Sequence, residues 1–396
     1  MPKQNNQEFL KRSPLDVDIL WHGVRYQKNR FSSMMRHILK KTPALKMAWH
    51  YFYFKGRRRK FFRSLPPAPR KLKLELTNSC NLRCIMCPNS GAQRKRGKME
   101  WDLFEKILHQ AKEIQVPHIG MYSTGESMIH PQFCEMVSYA KKQGFYVSVC
   151  TNAQLLTEEV SRKLIESDLN LIRYSIEGSN PNRYESVRRG GKFERLLSNI
   201  RYFKKLRDEK KASTRIWIDS VYFGEGFEEA KRFKELFSPY TDGIFFYPVC
   251  NMGGSNDLAS VISGEKRNGH PSPRPSPCIN LWAILCLTWD GKATLCNYDF
   301  EAETTVGDVR TSTLKEIWHS KEMNHFRNLH LSGQQNEMPL CGSCSDIYSQ
   351  PNAVSKPFLV DEKVVRPCLK TSFEAFLLND QIEEYCRENK AAPITT

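Results

Sequence analysis

Two groups of cysteines have spacings that suit metal chemistry. Cys80, Cys84 and Cys87 lie in one stretch, Thr77-Asn-Ser-Cys80-Asn-Leu-Arg-Cys84-Ile-Met-Cys87-Pro88, spaced C-x3-C-x2-C. Three thiolates on one short loop can ligate three irons of a cubane [4Fe–4S] cluster and leave the fourth iron open. An open coordination site is what catalysis at a metal needs. The competing reading is a zinc knuckle, which wants a fourth Cys or His that the neighbouring sequence does not supply. Farther along, Cys278 and Cys296 are separated by 17 residues, Gly291 precedes Cys296, and Cys341 and Cys344 form a C-x2-C pair. Four thiolates suffice for a fully ligated cluster or for zinc, and spacing alone leaves both open.

The elements that must carry these residues alternate. Strands are expected at Lys71–Thr77, His118–Ser123, Phe145–Thr151, Leu169–Ile176, Arg215–Phe223 and Gly243–Val249. Helices are expected between them at Trp101–Gln115, Pro131–Lys142, Thr157–Ser167, Phe193–Arg207 and Gly226–Phe237. A βα alternation repeated about six times predicts an α/β fold with a parallel sheet or barrel. A barrel is favoured because the polar and cysteine-rich motifs follow the strands, where βα-barrels collect their chemistry. The expected organisation is a basic aromatic arm at 1–70, the barrel at 71–251 and a Pro/Gly-rich connector at 252–277. A cysteine-bearing module at 278–348 follows, and then a tail at 349–396 with one helix, Ser372–Glu388.

The first cysteine group resembles the cluster motif of the radical S-adenosylmethionine (radical SAM) superfamily. Other positions resemble that family in order along the chain. Gly125-Glu126 is similar to the end of its Gly-Gly-Glu-Pro motif, with Thr124 and Ser127 at the flanking positions. Ser175 and Glu177 resemble its ribose motif, Arg188 its cofactor-facing arginine, and Thr151-Asn152-Ala153 its Thr-Asn-Gly. The resemblance implies a partial (βα)6 barrel and a [4Fe–4S] cluster on Cys80, Cys84 and Cys87. It also implies SAM chelated to the open iron and contacted by Gly125, Glu126, Ser175, Glu177 and Arg188. Reductive cleavage of SAM then gives a 5′-deoxyadenosyl radical, which takes a hydrogen from the substrate. Such a radical must be held against its target and kept from water.

The second group resembles the SPASM/twitch auxiliary-cluster module. Val306-Gly-Asp-Val and Leu314-Lys-Glu-Ile-Trp318 are similar to its stretch between the cysteine pairs. The cysteine expected six residues after Cys344 is Gln350 here, so the single-cluster version fits. That version implies one auxiliary [4Fe–4S] cluster on Cys278, Cys296, Cys341 and Cys344. Its job would be electron transfer, which implies an oxidoreductase acting on a carbohydrate-like substrate with the cluster as electron acceptor. The alternatives are an epimerase using Cys250 as hydrogen donor, a peptide-modifying maturase and, remotely, a zinc-bearing interaction protein.

Composition frames these readings. The 396 residues carry +17, of which residues 1–70 hold +14. Basic and aromatic residues interleave in this arm, with a short amphipathic helix expected at Ala44–Phe54. The mixture suits contact with an anionic membrane surface better than nucleic acid, since no RNA-binding signature appears elsewhere. No apolar run approaches the roughly 18 residues that span a bilayer, and Met1–Asn6 are polar with no apolar segment following. Thirteen cysteines in such a chain read as metal ligands before disulfides. The expected setting is the cytoplasm, peripheral to the inner face of the membrane. The expected partners are a small-molecule or carrier-linked substrate and an external reductant such as flavodoxin or ferredoxin.

Overall fold

The protein is described by a computed structural model covering residues 62, 65–223, 227–255, 277–278 and 280–344. The helices expected at 44–54 and 372–388, and most of the 252–277 connector, lie outside these residues. Among the described residues no helix is long and apolar enough to cross a membrane.

Six strands form in the expected order: β1 (Lys71–Leu74), β2 (His118–Met121), β3 (Tyr146–Thr151), β4 (Leu171–Ser175), β5 (Arg215–Tyr222) and β6 (Gly243–Pro248). Each pairs in parallel with the next. The crossovers are α1 (Trp101–Glu113), α2 (Phe133–Lys142), α3 (Glu158–Glu166), α4 (Pro181–Val187), α5 (Phe193–Glu209) and α6 (Phe227–Phe237). Each longer helix presents one apolar stripe to the sheet. On α1 the buried residues are Leu103, Phe104, Ile107, Leu108 and Ala111, the i, i+3, i+4 spacing of a single face.

The sheet has two unlike faces. On β4, Ile172 and Tyr174 are buried under the helices, and Tyr174 meets Phe203 of α5 edge-on at 6.4 Å. Arg173 and Ser175 take the opposite face. There the His118 imidazole of β2 feels Lys71 of β1 and Arg173 of β4. In a flat sheet, β1 and β4 would stand about three 4.8 Å spacings apart. The sheet is therefore rolled into a partial (βα)6 barrel with a polar interior.

β1 is three residues shorter than expected. Past Leu74 the chain leaves β2 and pairs with its own return limb: the Met99 amide donates to Leu76 O at 2.8 Å, and Thr77 bridges Lys98. This closes 78–97 into a loop at the C-terminal edge of the barrel. On its other side β1 pairs in parallel with β7 (Ile284–Leu287), and β8 (Lys292–Thr294) and β9 (Thr305–Asp308) continue antiparallel. The sequence suggests a module set apart by a connector, but its first three strands extend the barrel sheet.

Deleting residues 278–396 therefore strips β1 of a hydrogen-bonding neighbour and leaves an apolar edge that invites edge-to-edge pairing. The truncated chain is expected to elute as aggregate in size-exclusion chromatography. A monodisperse truncated monomer would show that the barrel is stable without β7.

Candidate active site

The cysteine loop is built into the barrel mouth. The Arg83 amide donates to Arg189 O at 2.8 Å and the Ile85 amide to Val187 O at 3.0 Å, so the loop docks on the segment after α4. Leu82, Cys84, Met86 and Val187 form a small buried apolar group, with Val221, Phe223 and Met252 against it. Asn78 and Asn89 brace the return limb, donating to Lys95 O at 2.9 Å and to Asn78 O at 3.0 Å. The module secures the same limb. Both oxygens of Glu301 accept backbone amides, from Gln93 and Arg94, each at 2.8 Å. Gly97 lies so close on the Trp289 indole that no Cβ would fit.

Cys84 is buried, Cys87 half-buried and Cys80 exposed. Cys80 feels both other thiols of the loop, and Cys87 feels that of Cys84. Desolvation of the sulfur pushes Cys80 up to about 12, with the Glu126 carboxylate and the neighbouring thiols adding to it, and burial raises Cys87 as well. Metal-free, the Cys80 and Cys87 thiols are protonated at neutral pH, so iron uptake at these two must expel protons. The donor set fits a cubane: three thiols on one loop and a guanidinium facing one sulfur.

Gly125 sits against this loop. Its φ is +73°, and a Cβ would stand 2.5 Å from Thr77 O and 2.7 Å from Ser79 O. The Glu126 amide donates to Ser79 O at 2.8 Å. The Glu126 carboxylate is buried and accepts the amides of Met128 at 3.3 Å and Asn152 at 2.8 Å. Burial raises its pKa, and these hydrogen bonds oppose the shift. The carboxylate thus ties the β2 loop to the end of β3. The flanking departures from the family motif have local reasons. Thr124 donates its hydroxyl to the buried Glu75 carboxylate, and Ser127 donates to Met121 O at 2.9 Å. Ala153 adopts φ +58°, where the family motif carries glycine. Asn152 Nδ2 donates to Asn81 Oδ1 at 2.9 Å, a further tie to the cysteine loop.

Ser175 ends β4 with its Oγ 3.2 Å from Cys150 Sγ. Glu177 is 1% exposed and grips Arg188 through both oxygens, Nη2 to Oε1 at 2.9 Å and Nε to Oε2. Arg188 Nη1 then donates to Cys84 Sγ at 3.4 Å. Burial works against the Arg188 charge, but Glu177 and Cys84 hold its pKa well above the usual guanidinium value. A sequence position expected to touch ribose thereby also anchors a cation on the cysteine loop.

The second cysteine set is positioned by turns. Gly291 has φ +93° in the β7–β8 hairpin, and one short strand then leads to Cys296. The Val306-Gly-Asp-Val stretch holds β9, whose Gly307 leaves room for Ile317 of α7 (Leu314–Trp318). Thr313 and Glu316 cap α7 reciprocally. The Cys278 amide donates to His330 Nδ1 at 3.1 Å. Cys296 is driven up by burial, with Cys286 and Cys278 adding to the shift. Cys278 and Cys296 are thus brought together. Cys341 and Cys344 share one turn, their N–O distance 3.3 Å, and it rests on Gly253 and Gly254. Cys250 Sγ lies 3.7 Å from Tyr298 Oη. Cys368 lies outside the described residues.

Sequence reasoning missed the lining of the barrel interior. Arg173 Nε pairs with Asp219 Oδ2 at 2.7 Å, its Nη2 donates to Tyr247 Oη at 3.2 Å, and His118 Nε2 meets Ser148 Oγ at 2.7 Å. The signal was available: charged and imidazole side chains recur at period two in strands that parallel sheets normally make apolar.

Gly125→Ala is expected to cost about 1–3 kcal/mol in backbone strain alone, to displace the cysteine loop and to lower iron content. Iron analysis after anaerobic reconstitution checks this, and wild-type loading would refute it. The raised thiols also fix a sign. Iron uptake should accelerate as pH rises from 7 to 9, because thiolate grows toward the folded-state pKa. A flat profile would contradict the protonated resting thiols.

Residues 74–233 match the family model described as the radical SAM superfamily, and residues 278–345 match an iron–sulfur cluster-binding domain, SPASM. The chain is 26% identical to a tungsten-containing aldehyde ferredoxin oxidoreductase cofactor-modifying protein of Pyrococcus furiosus, over 69% of this chain and 86% of that one. It is 31% identical to an AdoMet-dependent heme synthase of Methanosarcina barkeri, over 50% and 56%. The solved structure of Streptococcus suis SuiB bound to precursor peptide SuiA is similar in fold, with TM-score 0.55 and 13% identity over 77% and 74%. The chain thus carries a radical SAM domain and a SPASM iron–sulfur module: it is an enzyme whose cofactors are a [4Fe–4S] cluster, S-adenosylmethionine and an auxiliary iron–sulfur cluster.

Proposed function

We propose that this enzyme removes a hydrogen atom from a carbohydrate-like substrate held on the polar inner face of the barrel, and oxidises it. In this reading Cys80, Cys84 and Cys87 hold the catalytic cluster, and Gly125, Glu126, Ser175, Glu177 and Arg188 frame SAM. Cys278, Cys296, Cys341 and Cys344 hold one auxiliary cluster. When bound, these groups supply a 5′-deoxyadenosyl radical and an acceptor for one electron.

The chain's own residues do the rest. Gly125 and Glu126 lock the SAM turn onto the cysteine loop. The Glu177–Arg188 pair keeps a fixed positive charge beside Cys84. Oxidation of a secondary alcohol then balances: one hydrogen atom goes to the adenosyl radical, one electron to the auxiliary module and one proton to a base. Flavodoxin or ferredoxin is the class of reductant that would prime SAM cleavage. The observation that carries the oxidative reading is the contact between Cys250, just past β6, and Tyr298, two residues past Cys296. This contact between the module and the chain just past a C-terminal strand end supports a reading in which the auxiliary cluster lies near the substrate radical. The same contact supports a second reading, in which the Cys250 thiol donates a hydrogen atom and the enzyme is an epimerase.

Two measurements test this. Reconstituted wild type should carry about eight irons, and Cys80→Ala/Cys84→Ala/Cys87→Ala about four. About four falling to near zero would leave the module without a cluster and remove the electron acceptor. In deuterated water, oxidation gives a product two hydrogens lighter with no solvent deuterium at the reacting carbon. Epimerisation gives one deuterium, lost in Cys250→Ala.

A further inference from the structure

Among the described residues, two ammonium groups inside the barrel form no ion pair with a carboxylate, though Lys73 also faces the Cys286 and Cys296 sulfurs. Lys71 and Lys73 alternate on β1 and face the interior. Lys71 is only 4% exposed. Its Nζ lies 5.1 Å from the centre of the Tyr122 ring, and that of Lys73 lies 5.6 Å from it. Lys73 Nζ also donates to Asn297 Oδ1 at 2.6 Å. Among the described residues neither lysine reaches a carboxylate. The nearby anion Asp219 is already paired with Arg173.

The surroundings deepen the imbalance. His118 is fully buried and driven well below its ordinary pKa, first by burial and then by Lys71, Arg173 and Lys73, so it is neutral. Its Nδ1 is buried and has no hydrogen-bond partner among the described residues. A buried, unpaired cation costs several kcal/mol, and proteins carry one where a ligand completes the pair.

The ammonium groups are carried upward, toward the reacting end. Lys71 starts at the N-terminal end of β1, in register with His118. Its side chain climbs past Gly120, where a Cβ would come within 2.8 Å of its Cε. It ends at the Tyr122 ring, which folds back beside Gly120 from the turn that leads to Gly125. Both charges therefore stand below the turn that frames SAM.

We propose that Lys71 and Lys73 bind an oxyanion of the substrate, a phosphate or a carboxylate, with Tyr122 between them, and that this anion fixes the reacting carbon beneath SAM. The inference rests on the radical SAM reading of the barrel and narrows its substrate to an anionic molecule. Lysine suits the task as a compact point charge for an oxyanion.

The test is equilibrium binding of inorganic phosphate and of succinate to the full-length, anaerobically reconstituted protein at low ionic strength, by calorimetry. Wild type should bind at least one of the two, and the tighter names the group. Lys71→Met and Lys73→Met should each weaken binding about tenfold or more, as loss of a charge-assisted contact does, while exposed Lys205→Met leaves it unchanged. Lys71→Arg should retain most of the affinity, and iron content confirms that each variant is folded. Absence of binding to both anions in wild type overturns the proposal. So does equal weakening in Lys205→Met, or a shift of the auxiliary cluster's midpoint potential in Lys73→Met with anion affinity unchanged. SAM cleavage by the same samples, read as 5′-deoxyadenosine, reports separately on the radical reading. Either result can fail alone.

Discussion

One buried carboxylate, that of Glu75, holds the working parts of this molecule in register. It follows β1 directly and is 1% exposed. Its partners come from three separate segments: Arg94 on the return limb of the cysteine loop, Thr124 in the turn before Gly125 and the Trp289 amide in the module hairpin. A carboxylate buried without such partners would cost several kcal/mol. The ion pair with Arg94 is therefore stable only while the loop, the turn and the hairpin are all in place. The geometry of the site and the integrity of the fold are one constraint here, because β1 itself lies between β2 and β7.

A second buried charge repeats the pattern at the other rim of the mouth. Glu177 neutralises Arg188 and accepts the Val221 amide at 3.2 Å, which ties the segment after β4 to β5. Arg188 faces Cys84, so this charge meets the cysteine loop at a ligand sulfur position, whereas Glu75 meets its return limb through Arg94. Paired charges beneath the cysteine loop hold it by directional hydrogen bonds, whereas apolar contact alone would let a short loop of mixed residues slide. The apolar group around Leu82 and Val187 then excludes water from that side of the loop.

Much of this was legible in the sequence, for physical reasons. The six strands could be read because parallel strands under helices are short apolar runs, and the helices because their stripes repeat at 3.6 residues. The cysteines could be read because ligand spacing on a loop is local. Three things were not legible. The end of β1 was misplaced because Leu76 and Thr77 look like strand but pair with Lys98 and Met99, a partner the local pattern does not name. The union of the module with the barrel depends on pairing between residues more than two hundred positions apart. The roles of Thr124 and Ser127 were hidden because each departs from its motif to satisfy a group elsewhere, Glu75 and Met121 O.

The inner face of the barrel shows why composition alone misleads about charge. Net positive charge is concentrated in residues 1–70, which makes the rest of the chain look nearly neutral. Yet a small excess inside a barrel weighs more than a large one on an arm. Exposed charges are screened within about 10 Å at ordinary ionic strength, while charges enclosed by protein act through a lower dielectric. Lys71, Lys73 and Arg173 against Asp219 leave a positive inner face. His118 cannot add to it, since burial first and then those same cations hold it neutral. The positive charge of the inner face is therefore set by the lysines and Arg173, not by the imidazole.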